Sequence, residues 1–187
     1  MSNAIAFRFA QLSDIPSIVQ LVESAYRGDA SRAGWTTEAD FLQGQRVDAQ
    51  SVQADIENPD SVIVLAEYAS TASTASTGSA TGILACCHLQ KKLSACYFGM
   101  FSVQPKQQGT GLGKQMMAEA ERIARDQWLC TQMQMTVIDI REELIRFYER
   151  RGYLHTGKHL PFPYGDERFG IPLRNDLRFE ILEKPLL

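Results

Sequence analysis

The chain has little of several things that would point elsewhere. No apolar run approaches the ~20 residues that a membrane-crossing helix needs. It lacks a basic excess: 19 Lys and Arg stand against 22 Asp and Glu, a net charge of −3. That gives no support for nucleic-acid binding. Cysteine is scarce, with four residues (Cys86, Cys87, Cys96, Cys130), no Cys-x-x-Cys pair and only three histidines in the chain. This inventory argues against a zinc site or other metal centre and for buried free thiols in a reducing compartment. The N-terminal MSNAIAFRF lacks the basic and apolar regions of a signal peptide, so a cytoplasmic location is the expectation.

What is present fits an ordinary globular protein. The chain has 187 residues, 44% hydrophobic and 22% charged, enough for one domain with a sizeable core. A single domain over residues 1–187 is therefore expected. It is interrupted by the small-residue run STASTASTGSAT, and a flexible loop is expected over 69–81 because such a run buries too little apolar surface to offset ordering.

Ile5, Phe7 and Phe9 alternate with smaller or charged residues, predicting a strand. Ser13-Asp14 then offers a helix N-cap before Pro16 and the apolar positions Ile18 to Ala25. Thr36 or Thr37 is read as the cap of a short helix containing Glu38, Phe41 and Leu42, and another helix is expected from Val47 to Ile56. Strands are predicted at Val62–Ala66, Ile83–Leu89 and Ala95–Val103, with Lys91-Lys92-Leu93-Ser94 as a hairpin turn. A helix from Gly111 to about Asp126 places Leu112, Met116, Ala120, Ile123 and Ala124 on one face, with Glu121 and Arg125 as an i,i+4 pair on the other. A strand at Met133–Ile138, a helix at Glu142–Arg151 stopped by Gly152, and an alternating strand from Leu177 complete the pattern. Antiparallel strands followed by helix-connected ones give a mixed sheet.

The most specific stretch is FSVQPKQQGTGLGK, residues 101–114. An apolar strand runs into Gly109, Gly111 and Gly113 and then into an amphipathic helix. Glycines at a helix mouth leave backbone N–H groups unobstructed, and the helix dipole favours an anion there. A phosphate-bearing ligand follows. Walker A spacing fails, because Gln108 stands where its first glycine should be and Gln115 where its hydroxyl should be. The dinucleotide pattern G-x-G-x-x-G fails as well, since the spacing here is G-x-G-x-G.

Gln108 to Gly113 reads Q-x-x-G-x-G and resembles the acetyl-CoA loop of the GNAT superfamily of N-acetyltransferases. A second block, REELIRFYERRGY at residues 141–153, resembles the family's helix ending in Phe-Tyr before a Gly-Tyr step. The resemblance implies an α/β (α+β) GNAT fold. Its central sheet would be mixed, mostly antiparallel, of about six to seven strands, flanked by helices and split at the acetyl-CoA site.

It further implies an enzyme that moves an acetyl group from acetyl-CoA, a cosubstrate, to a primary amine by direct attack in a ternary complex. Phe101, Ser102 and Val103 would pair with the pantetheine arm through main-chain groups. Gln108, Gly109, Thr110, Gly111, Leu112, Gly113 and Lys114 would hold the pyrophosphate. Tyr148 matches the family's helix tyrosine, a general acid for the departing thiolate. Arg141 stands where many relatives have Asn; its guanidinium could reach the cofactor or cap the helix outward.

No Asp or Glu occurs in Ser94–Val103, where many relatives carry a catalytic carboxylate. Glu67, Glu38 and Asp139 are the substitutes considered, with a water chain as the other route. Tyr26, Trp35 and Glu38 are candidate substrate contacts in an aromatic, weakly acidic pocket suited to a cationic amine. The expected partner is a small-molecule or peptide amine, with no nucleic acid and no membrane; some relatives dimerise through their last strands, which leaves a homodimer open. A non-catalytic acyl-CoA sensor is the alternative.

Overall fold

Alternate residues of the central strands serve two different cores. In β3 (Ser61–Tyr68) and β4 (Ala85–Lys92), Val64, Cys87 and Leu89 join one apolar cluster, while Ile63, Leu65 and Cys86 join another. That period of two places one core on each face of the sheet. The computed structural model describes residues 4–69 and 82–187. The segment expected to be a flexible loop lies, but for residue 69, outside them.

The elements before β3 are β1 (Ile5–Phe9), α1 (Ile15–Tyr26), a one-turn α2 (Gly28–Ser31), the two-residue β2 (Leu42–Gln43) and α3 (Ala49–Glu57). After β4 come β5 (Ala95–Val103), α4 (Leu112–Arg122), β6 (Gln132–Ile138), α5 (Glu142–Glu149), β7 (Leu154–Pro161), β8 (Ile171–Pro172) and β9 (Arg178–Pro185). Seven strands form one sheet in the order β1-β3-β4-β5-β6-β9-β7, antiparallel everywhere except between β5 and β6. The mixed, mostly antiparallel α/β architecture expected from the sequence is therefore present. β2 and β8 form a separate small ladder.

Helix α4 covers one face, burying Leu112, Met116, Met117 and Ala120. Each fully buried Leu or Met of this kind contributes about 1.5–3 kcal/mol. Helix α1 covers the other face through Ile18, Leu21, Val22 and Ala25.

Several local expectations are corrected. The helix read from Thr36 or Thr37 does not form. Thr37 Oγ1 does accept from Ala39 N at 3.2 Å, but the chain makes one turn and Leu42 then pairs with Pro172. A small core of Leu42, Ile138, Phe162 and Leu177 wins over the local cap. Glu121 does not pair with Arg125. It accepts from Tyr153 and Lys184, while Arg125 turns to Asp126. Helix α4 ends at Arg122 and continues through a wider turn over Ile123–Gln127, with Trp128 N bonding Ile123 O at 3.2 Å. Lys91 and Lys92 extend β4, so the tight turn is Leu93-Ser94, with Leu93 at φ 57°. Gly152, at φ 87°, closes α5 as anticipated.

Candidate active site

The sheet opens where β5 and β6 part. Their parallel pairing covers only Ala95–Gln132, Cys96–Met133 and Tyr97–Gln134. Beyond it β6 stays with β9 as far as Ile138, and β5 stays with β4 as far as Val103. A bulge lies in β5 at the parting, with one extra residue opposite Cys87 and Met100 at φ 47°. Gln104 N bonds Leu84 O at 2.9 Å on the β4 side. By the alternation of the strand, the N–H and C=O groups of Phe101 and Val103 face the opened gap. Tyr26 donates its hydroxyl to Phe101 O, and Gln108 Nε2 donates to Val103 O at 3.2 Å.

On one side of the gap is a cleft of about 350 Å³, floored by the glycine loop. Gly109 and Gly111 have φ of 82° and 89°, and a side chain on either would project into open space. Among the described residues, the N–H groups of Gly109, Gly111, Leu112, Gly113 and Lys114 make no internal hydrogen bond. These donors sit at the N-terminus of α4, a site built for an anion. A Cβ on Gly113 would come within 3.3 Å of the Phe101 ring, which would have to give by a few tenths of an ångström.

Lys114, Arg150 and Arg151 add positive charge to the lining. Arg151 stacks 3.4 Å from the Phe147 ring centre, and its buried Nε lacks a partner. Free N–H groups, an orphaned guanidinium nitrogen and an open strand edge fit a diphosphate ligand with an extended amide arm. Of the residues expected to bind cofactor, Phe101, Val103, Gln108, Gly109, Gly111, Gly113 and Lys114 line this cleft. Ser102 and Leu112 are buried, and Thr110 is exposed with its hydroxyl on Gln107 O. Their side chains lie off the lining, which leaves their main chain as the part that can serve.

On the other side is a cavity of about 440 Å³. It shares Tyr26, Phe101 and Leu144 with the cleft, so the two meet at the parted strands. Tyr148 lines this cavity. Burial pushes its pKa far above the ordinary phenol value, so it keeps its proton at neutral pH.

Glu38 is enclosed. It pairs with Arg27, and its Oε1 accepts from Arg141 at 2.9 Å. Burial acts to raise its pKa, but Arg141, Arg46 and Arg27 outweigh burial and hold it below the usual carboxylate range. Glu38 lines the cavity as an ionised carboxylate matched by three arginines, where the sequence-based expectation took it as a lone acidic group. Arg141 also donates to Thr36 O at 2.7 Å and lies over the Tyr26 ring. The structure thereby places it on the wall of the larger cavity and not among the residues lining the glycine-loop cleft. Trp35 is the reverse case: it lines the glycine-loop cleft, its N–H held by Gln108 Oε1 at 2.9 Å.

Neither Glu67 nor Asp139 lines either cavity. Glu67 is paired with Arg8, and Asp139 with Arg178. The cavity instead holds His88, whose Nε2 is 2.6 Å from Ser61 Oγ and 3.7 Å from Asp55. Burial lowers the His88 pKa against the pull of Asp55, leaving a neutral imidazole that can accept a proton.

Sequence reading missed His88, Arg46, Arg150 and Arg151. The last two stand in the REELIRFYERRGY block itself, one turn beyond Phe147, and that spacing could have revealed them. Nothing local marks His88 or Arg46. All four cysteines are free and buried, and among the described residues no cluster of His, Cys, Asp and Glu could hold a metal ion. No helix among them is long and apolar enough to cross a membrane.

Comparison with known proteins adds the family. The model of the acetyltransferase (GNAT) family matches residues 18–153. No curated protein matches the sequence. Among solved structures, the ribosomal-protein-S18-alanine N-acetyltransferase from Escherichia coli is similar with a TM-score of 0.67 at 11% identity, over 98% of this chain and 94% of that one. A spermidine N-acetyltransferase variant from Vibrio cholerae gives 0.65 at 11%, over 97% and 94%. Nourseothricin acetyltransferase gives 0.65 at 14%, over 98% and 99%. At these identities the likeness speaks to the fold alone. The family match covers well over half of the sequence and contains both the glycine loop and Tyr148, and on it the chain belongs to the GNAT family of acetyltransferases.

Proposed function

We propose that this protein transfers an acetyl group from acetyl-CoA to the primary amine of a small molecule or peptide, by direct attack in a ternary complex. The observation that carries this reading is the meeting of the two cavities at Tyr26, Phe101 and Leu144, one lined by free N–H groups and cations, the other by Tyr148. Bound acetyl-CoA would supply the acetyl group as a thioester. Gly109 to Lys114, with Arg150 and Arg151, would hold its phosphates, and the open edge of β5 would align its amide arm. Tyr148 would give its proton to the departing sulfur. His88 or solvent in the cavity would take the proton the amine gives up. The similar structures act, by their names, on a ribosomal protein's alanine, on spermidine and on nourseothricin, and these support an amine acceptor without agreeing on which one.

Calorimetric titration with acetyl-CoA tests the reading, with ATP and NAD as controls. Micromolar binding with silent controls is expected, followed by coenzyme A thiol release in the presence of a suitable amine. Binding without thiol release across a broad amine panel would favour an acyl-CoA sensor.

A further inference from the structure

Three guanidinium groups surround Glu38, and they are not equivalent. Arg27 and Arg141 take its two oxygens, and their side chains are 6% and 9% exposed. Arg46 stands 3.7 Å from Glu38 Oε2, too far for a hydrogen bond, and its side chain is 34% exposed. Its place in the chain is nonetheless fixed: Glu23 Oε1 accepts from the backbone N–H of Arg46 at 2.5 Å and of Val47 at 3.0 Å. The guanidinium lies over the Tyr26 ring, 5.4 Å from its centre. Among the described residues no hydrogen bond uses its donors, and it lines the cavity that holds Tyr148.

The charges nearby sharpen the point. Three arginines (Arg27, Arg46, Arg141) and two carboxylates (Glu38, Glu23) meet around Glu38. Asp55 lines the cavity beside His88, with its pKa raised by burial. Arg168, also on the lining, is already taken by Asp166 at 2.5 Å. A polyamine would meet the Arg46 guanidinium here, a cation whose donors make no hydrogen bond among the described residues. A carboxylate would meet a rigid fork of unused donors whose geometry matches it. Phe162, Phe169 and Phe179 supply apolar lining in the same cavity. Tyr26 spans the distance from Arg46 to the reaction end, its ring under the guanidinium and its hydroxyl on Phe101 O. That short span suits an amine and a carboxylate on one small molecule.

We propose that Arg46 receives the carboxylate of the acceptor, which makes the acceptor an amino acid with an apolar body. This rests on the acetyltransferase reading above and names the substrate class for the same site. The test measures thiol release from acetyl-CoA with the standard L-amino acids, each set against its own carboxamide and its decarboxylated amine, with spermidine as a cationic control. At least one apolar amino acid should exceed its carboxamide by tenfold or more in kcat/KM. Arg46→Gln should lower kcat/KM for that acid about a hundredfold, the loss expected for a hydrogen-bonded charge pair, and should erase the acid-over-amide preference; Arg46→Lys should restore part of it. The ratio is read within one preparation, so partial misfolding does not mimic the effect. Equal use of acid and amide, preference for spermidine, no turnover of any acid, or a preference untouched in Arg46→Gln would each overturn the proposal. Acetyl-CoA calorimetry on the same sample separates the two failures. Binding without acid turnover removes only the carboxylate assignment, whereas absent binding removes the acetyltransferase reading and the proposal with it.

Discussion

The two halves of the site are made of different material. The glycine-loop cleft takes half of its lining from one continuous stretch, Phe101 to Lys114, through main-chain groups and the shape of a helix start. The neighbouring cavity is assembled from side chains of α1, α3, β4, β5, β6, α5 and the segments around β2 and β9, held by buried charges. Main-chain recognition needs only a backbone path and so tolerates wide change in side chains. A charge cluster needs every partner, and fails when one is lost.

The largest test of that contrast is Glu38→Gln. It leaves Arg27 and Arg141 buried against a neutral amide, and removing one partner of such a cluster costs about 3–5 kcal/mol. Urea unfolding should show the loss. Glu38 has its folded pKa below its ordinary value of 4.5, so its contribution is present above that value and fades as pH falls through the folded pKa. The stability gap between wild type and variant should therefore be full at neutral pH and narrow below about 4.5. A constant gap across that range would mean that the ionised carboxylate does not hold the cluster.

Next comes Tyr148→Phe. Loss of a general acid lowers turnover by about 10²-fold or more, while the glycine-loop cleft, on the other side of the gap, should keep the affinity for acetyl-CoA proposed for it. Steady-state kinetics with the best amine would check this, and a matched loss of acetyl-CoA affinity would place Tyr148 in cofactor binding instead. Gly111→Ala probes the opposite side. At φ 89° an alanine is strained by about 1–2 kcal/mol, and its methyl projects into the open space over the loop, where the proposed phosphate would lie. Calorimetry should show roughly tenfold weaker acetyl-CoA binding, the effect of about 1.4 kcal/mol, with KM for the amine unchanged.

The same contrast explains what could be read in the sequence. The glycine loop announces itself because adjacent residues share one task, so Gly109, Gly111 and Gly113 are visible as a spacing. Tyr148 is legible for a similar reason, as part of a contiguous block. Most strands and the longer helices follow from their apolar periods, but β7, LHTGKHLP, is nearly all exposed and has no such period, so it goes unread in the sequence. Arg46 and His88 are separated by 42 positions and reach one cavity only after the sheet brings α3, β4 and the turn before α3 together. No local pattern encodes such a meeting. Glu38 shows the limit most clearly: as a lone carboxylate it suggests an acidic pocket, and its meaning reverses once Arg27, Arg46 and Arg141 surround it. The failed helix at Thr36–Leu42 has the same origin, since Leu42 is claimed by a core whose other members lie at Ile138, Phe162 and Leu177.

Trp35 offers the finest discrimination between the two halves. Its sequence position suggested the acceptor side, yet its ring stands 5.4 Å from that of Phe147, and its N–H is held by Gln108, beside the glycine loop. Replacing it with alanine should remove an aromatic contact worth about 0.5–1.5 kcal/mol, and that loss should fall on acetyl-CoA. The expected result is a severalfold rise in KM for acetyl-CoA with KM for the amine nearly constant. The reverse pattern would move the boundary between the halves, since it would require the acceptor to extend past Tyr26 into the cleft. Because Gln108 also bonds Thr36 and Val103 O, Gln108→Ala should reproduce the effect without touching the indole. If only the tryptophan change matters, the ring itself contacts the cofactor; if both do, the positioning of the Trp35–Thr36 segment over the loop is what counts.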